Sequence, residues 1–224
     1  MRPLIVARDE RGSVLVEATI MLPILIIFVM GAIEFLWLFY DWNAATKAAQ
    51  IGARLAAVSN PVAQGLGFYP ATLITRTSPP GTSMPAFSVV CDGAEEICSC
   101  QGTCPGGIIR FDNSAMRTLV YGRGSTGCGD ATSSYSVGMC DILTKIRPAN
   151  VRVEYKQPPS PQGLGYIGRP GGAVPTVKIS IVNLPASALF LSGVFRQFPE
   201  ISATATAEDL SSCAPNVYVC ASED

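Results

Sequence analysis

Residues 11 to 18 read Arg11-Gly12-Ser13-Val14-Leu15-Val16-Glu17-Ala18, and the apolar run they open continues through Leu36, Trp37, Leu38, Phe39 and Tyr40. From Ala18 to Ile33 sixteen consecutive residues carry no charge, and the run reaches Tyr40 if Glu34 is tolerated. A bilayer is spanned by about 20 apolar residues in a helix, so this stretch predicts a membrane anchor. Its flanks agree: Arg2, Arg8 and Arg11 precede it, while Trp37, Tyr40 and Trp42 close it. That is a basic cytoplasmic side and an aromatic belt at the far interface, which places the rest of the chain outside the cytoplasm. A cleaved secretory signal is the competing reading. The apolar core is longer than such a signal needs, and no small-x-small site follows it promptly.

Glu17 is the anomaly within this stretch. A carboxylate in lipid costs on the order of a few kcal/mol even on lenient insertion scales. Cleavage between Gly12 and Ser13 would create a charged α-amine four residues before Glu17, and the same new amine on a neighbouring subunit would supply the acid with a cationic partner. Snorkelling of Glu17 to the headgroups near Arg11 is the plainer alternative. Glu34, near the outer boundary, is expected to snorkel, pair with a partner's Lys or Arg, or mark a binding surface, snorkelling being the cheapest. Pro23 falls inside the span, where it removes one backbone hydrogen bond and favours a kink.

Residue by residue, the stretch from Arg11 to Ala18 resembles the processing site of type IV prepilins. Pro23-Ile24-Leu25, Gly31-Ala32-Ile33-Glu34 and the alanine-rich stretch ending Ile51-Gly52-Ala53-Arg54 narrow the resemblance to the amino-terminal module of TadE-like pseudopilins of tight-adherence pilus systems. It covers about residues 11 to 58, with weaker similarity at Leu119-Val120-Tyr121-Gly122 and in the terminal strands. The resemblance implies a prepilin peptidase that cuts after Gly12, and an assembly role for Glu17. As partners it implies the lipid bilayer, other pilin and pseudopilin subunits and a pilus assembly platform. Major pilins of these systems usually carry Tyr after the glutamate, where this chain has Ala18. That departure favours an accessory subunit over the main one.

Beyond Tyr40 the helix is expected to continue, because Asn43 to Val58 is alanine-rich and holds only Gly52 as a breaker. Ala44, Ala48, Ile51, Leu55 and Val58 recur at helical spacing, with Asn43, Lys47, Gln50 and Arg54 opposite. Two rows of small residues, Ala45-Ala49-Ala53-Ala57 and Ala44-Ala48-Gly52-Ala56, would let another backbone approach closely or cover the chain's own outer domain. Ser59-Asn60-Pro61 then stops the helix.

The composition is 48% hydrophobic and 15% charged with formal net charge −1. Sixteen Lys and Arg are scattered among seventeen acids, which excludes a basic nucleic-acid surface. About 180 residues follow the anchor, the size of one domain. All eight cysteines, Cys91, Cys98, Cys100, Cys104, Cys128, Cys140, Cys213 and Cys220, lie beyond the span. An even number there implies disulfides in an oxidising compartment. Cys213 with Cys220 would make a local terminal loop; the other pairings stay open. Cys98-x-Cys100-x3-Cys104 fits neither a zinc ribbon nor a common ferredoxin spacing, so no metal or cofactor is expected.

Pro61 to Pro85 is expected as a turn-rich connector, followed by a cysteine-bearing region to Cys140. Within it Asp112-Asn113 should cap a short helix over Ser114 to Tyr121, with Met116, Leu119 and Val120 inward and Gly122 ending it. Strands are expected late, where Val151-Val153-Tyr155, Val177-Ile179-Ile181 and Ile201-Ala203-Ala205-Ala207 alternate with polar residues. Gln157 to Gly172 should be a loop, and Pro185 to Phe195 a short helix presenting Phe190, Leu191, Val194 and Phe195 to the sheet. With no histidine the common Ser-His-acid and Cys-His arrangements are excluded. Glu95-Glu96 reads as a solvated loop, and Gly106-Gly107 and Gly171-Gly172 lack the context of a phosphate loop.

The expected fold is α+β: a long N-terminal transmembrane helix continuing into a small disulfide-rich outer domain with an antiparallel sheet. Its segments are a basic leader over 1–12, the anchor and extended helix over 13–60, a Cys/Gly/Pro-rich part over 61–148 and a strand-rich part over 149–224. A single-pass position in the cytoplasmic membrane, with a structural rather than catalytic role, follows. The rival is a bitopic envelope protein whose uncleaved anchor presents a disulfide-bonded adhesin or ligand-binding domain; a redox or metal protein is a third reading.

Overall fold

The computed structural model describes residues 11–75, 78–102, 109–131, 136–168, 172–186, 188, 196–207 and 210, without the side chains of 11–14 and 102. It is mixed α+β. The first element, α1 (Arg11–Ala57), runs for 47 residues with Pro23 inside it. It ends where Ser59-Asn60-Pro61 removes helix-compatible sequence. The chain forms two compact units: Met1–Tyr40 with Ala186–Arg196, and Asp41–Pro185 with Gln197–Asp224.

After α1 the second unit continues with β1 (Ala63–Gln64), α2 (Tyr69–Thr72), β2 (Phe87–Asp92), β3 (Ile97–Gly102), β4 (Arg110–Phe111), α3 (Asn113–Tyr121) and α4 (Met139–Ile142). A 3-10 turn at Pro148–Asn150 leads into β5 (Val151–Gln157), followed by β6 (Leu164–Gly165), β7 (Ala173–Val174), β8 (Thr176–Ile181) and β9 (Ile201–Thr206). Five strands pair antiparallel in the order β3-β2-β5-β8-β9. The register aligns Cys91, Val153, Ile179 and Ala203 in one row and Val89, Tyr155, Val177 and Ala205 in the next. Period-two alternation turns these rows to the core and leaves Arg152, Glu154, Lys178 and Thr204 on the other face. There Arg152 holds Asp92 at 2.7 Å and Lys178 meets Glu200 at 3.4 Å.

Helix α3 forms as its sequence dictates. Asp112 Oδ1 accepts from the amides of Ser114 and Ala115 at 2.8 and 3.1 Å, Met116, Leu119 and Val120 are buried, and Gly122 terminates the helix. Gly122 has φ +92°, and a Cβ there would stand 1.7 Å from the Ser136 carbonyl oxygen, so only glycine fits.

Three expectations are corrected. Strands do not come only late: β2 and β3 lie in the cysteine-bearing region, and β2 is an interior strand. Pro61 to Pro85 is no mere connector, since Val62, Leu66, Tyr69 and Met84 are all buried in the core. Val62 is fixed by its amide donating to the Tyr155 hydroxyl at 2.9 Å and its carbonyl accepting from the Asp112 amide at 2.8 Å. The stretch from Gln157 to Gly172 contains β6, which pairs with β7. The short helix expected over Pro185 to Phe195 lies largely outside the described residues.

Candidate assembly stem

Helix α1 is the candidate site, and its two stretches differ in what they bury. In the first unit Gly12 and Ser13 fall in the opening turns. Glu17 is exposed, and so are the large apolar side chains that follow it, Ile27 at 72% and Phe28 at 74% among them. The most apolar window has a mean hydropathy of 2.4, and α1 is the one helix among the described residues long and apolar enough to cross a membrane. Glu34 is 7% exposed and takes part in a polar contact. The reason is its position on the helix, because Leu38 and Asp41 at the next two turns of the same face are buried too.

In the second unit, from Asp41 onward, the buried face is made of small residues. Ala45, Ala48 and Ala49 have no exposure, Ala53 and Ala56 have 1% and Ala57 has 6%, and Gly52 is buried with them. The alanines share one core cluster with Val89, Val153, Tyr155 and Ile179 of the sheet. Of the apolar residues that recur at helical spacing, Ala44 and Ala48 are buried, but Ile51 and Leu55 are half-exposed and Val58 is 50% exposed, so the small-residue rows make the inner face. Small residues win the inner face because they let neighbouring elements come close. At Gly52 a Cβ would stand 2.6 Å from Met139 Sδ, so the missing side chain is the notch that the methionine fills.

Long-range contacts that carry no local sequence signal complete the site. Arg123 donates to the Val58 carbonyl at 2.5 Å and to Ser59 Oγ at 3.1 Å, covering the end of α1. Lys145 pairs with Asp41, and Trp42 packs on Phe198 with ring centroids 6.1 Å apart. Sequence reasoning missed Arg123, Met139, Lys145 and Asp41, since each acts through a partner many residues away.

Two cysteine pairs are described. Cys91 bonds Cys98 across the β2–β3 pair, and Cys128 bonds Cys140. Cys100 is also disulfide-bonded, so the Cys98-x-Cys100-x3-Cys104 run is committed to bridges at both of its described members. Cys104, Cys213 and Cys220, and the proposed terminal loop, lie outside the described residues, as do Gly106, Gly107 and Gly171. Glu96 sits at the β2–β3 turn and accepts from Asn113 at 3.2 Å.

The perturbed titrations belong to structure. Burial pushes the Tyr155 hydroxyl well above its usual range, keeping it neutral as the acceptor for Val62. Burial also raises Tyr69. For Asp92 burial acts upward but is outweighed by hydrogen bonds and charge from Arg152 and by backbone amides, which hold the carboxyl below its ordinary value. Glu200 is lowered by the Ser180 hydroxyl and by Lys178 against its own burial.

Residues 12–54 match the family model described as TadE-like protein. The matched segment begins at Gly12 and ends inside α1, before the first strand. No curated protein and no solved structure matches. The TadE-like match implies a membrane anchor and pilus-related partners.

Proposed function

From the TadE-like module as premise, we propose that this chain is a membrane-anchored accessory pseudopilin that takes part in assembling a tight-adherence type IV pilus. Glu17 carries the reading: it is an exposed acid at the head of the uncharged run from Ala18 to Ile33, five positions after the glycine at which the family match begins. A prepilin peptidase hydrolyses the Gly12–Ser13 amide and leaves a protonated amine on Ser13. That amine on one subunit meets Glu17 of its neighbour, so the cost of an acid in lipid is offset only in the assembled state. Until then the bilayer solvates the exposed side chains between Leu15 and Tyr40 of a single-pass anchor in the cytoplasmic membrane. The outer domain stands outside the cytoplasm, where its disulfides persist. Other pilins, pseudopilins and the assembly platform are its partners, its role is structural, and nucleic acid plays no part.

Sequencing the amino terminus of protein recovered from membranes tests the reading. A peptidase-dependent start at Ser13 is expected. Residues upstream of Ser13 retained in cells that make the peptidase would refute it in favour of a bitopic envelope protein with an uncleaved anchor. Glu17→Ala should insert normally yet lose co-purification with other pilins.

A further inference from the structure

Three side chains from one stretch of the outer unit grip α1 at three heights: Arg123 at Val58, Met139 at Gly52 and Lys145 at Asp41. The span from Asp41 to Val58 is about 25 Å of helix. The stretch that supplies these grips, Gly122–Ala131 and Ser136–Arg147 among the described residues, has little regular structure beyond the four residues of α4. Its shape comes instead from a covalent closure and a few polar ties. The Cys128–Cys140 disulfide joins its two parts. Asp141 accepts from the Gly129 amide at 2.6 Å and the Gly138 amide at 2.8 Å. Arg147 approaches Cys128 Sγ at 3.5 Å. Cys140 and Met139 are neighbours in α4 and both are fully buried, so the bridge and the thioether that fills the Gly52 notch are set by the same turn.

Ordering an irregular segment is opposed by chain entropy, and a disulfide removes part of that entropy from the unordered state. We propose that Cys128–Cys140 is a redox lock on the stem: the segment from Asp41 through the end of α1 to Val58 is held firmly on the outer domain only once this bridge has formed. The lock closes by thiol–disulfide exchange with an extracytoplasmic disulfide donor. A sulfur–sulfur bond forms between Cys128 and Cys140 while the donor's bond breaks; two electrons pass to the donor, and the two thiol protons end on its dithiol. The Cys91–Cys98 bridge does not share this role, since it joins two strands already paired along their full length and lies outside the irregular stretch that supplies the three grips. The lock belongs to the outer unit and stands whether or not Gly12 is a processing site.

Hydrogen exchange of the full chain in detergent, read by mass spectrometry, tests it. Relative to the wild type, Cys128→Ser/Cys140→Ser should speed exchange in peptides covering 45–57 by about tenfold or more while β5 and β8 keep their protection. Cys91→Ser/Cys98→Ser should leave 45–57 unchanged. With all cysteines intact, Arg123→Met/Lys145→Met should accelerate the same peptides to a lesser degree. An unaltered stem in either the 128/140 or the 123/145 variant would overturn the lock. So would equal loosening by the 91/98 variant, or a sheet that loses protection together with the stem.

Discussion

Within α1, size and burial run in opposite directions on the two sides of Tyr40. Before it, bulky side chains such as Ile27 and Phe28 stand exposed; after it, the side chains with no exposure are alanines at 45, 48 and 49. A protein folding in water alone buries its Leu, Ile and Phe first, and a continuous exposed surface of them marks a nonaqueous neighbour. One helix is thus composed for two surroundings. Bulk maximises apolar area along the candidate membrane anchor, and smallness maximises close approach where the chain's own domain is the neighbour.

The most severe way to break this contrast is a charge in the alanine row. Ala49→Glu should destabilise the outer unit by about 3–5 kcal/mol, because the carboxylate is buried without a partner. Denaturant unfolding in detergent measures it, and a loss below about 1 kcal/mol would mean that the row is not a core surface. Next comes Leu25→Arg, which should raise the cost of membrane insertion by about 3 kcal/mol and deplete the membrane-integrated fraction, leaving the melting of the outer unit unchanged. An altered melting temperature there would erase the distinction between the two stretches.

The smallest effect sharpens the comparison from outside it, on the solvent face of the sheet. Asp92 has a carboxyl held below its ordinary 3.8 in the folded state, so its contribution is complete above that value and is lost as pH falls through the lowered one. Because the pair with Arg152 is partly exposed, the contribution is under about 1 kcal/mol. Melting temperature should therefore be insensitive to this pair between pH 7 and pH 5 and should fall slightly more steeply below about pH 4 in the wild type than in Asp92→Asn. A difference in slope appearing near neutrality would assign the titration to another group.

Much of this architecture was legible in the chain. Helix α3 could be drawn from Asp112 to Gly122 because its cap, its inward residues and its stop are all local. The same holds for β5, β8 and β9, whose alternation is regular. Strand β2 escaped because Phe87-Ser88-Val89-Val90-Cys91-Asp92 alternates only if Cys91 is counted as an inward apolar residue and not merely as half of a bridge. Val62, Leu66, Tyr69 and Met84 have no period, and Val62 is fixed by tertiary ties to Tyr155 and Asp112 that no local pattern announces. On α1 the alanine rows were recognised, yet hydrophobicity alone pointed to Ile51, Leu55 and Val58. The inward face carries Gly52 against Met139, a contact no local pattern contains.

Helix ends are where unravelling starts, since the last carbonyls have no intrahelical donor. Here the Val58 carbonyl is held by Arg123, a side chain from 65 residues further along the chain. Tension applied along Asp41–Ala57 is consequently resisted as shear, distributed over the row of alanines, and not as peeling from a free tip. A segment seated in that way transmits a pull like a tow-bar, delivering it along its whole length into the fold packed against it.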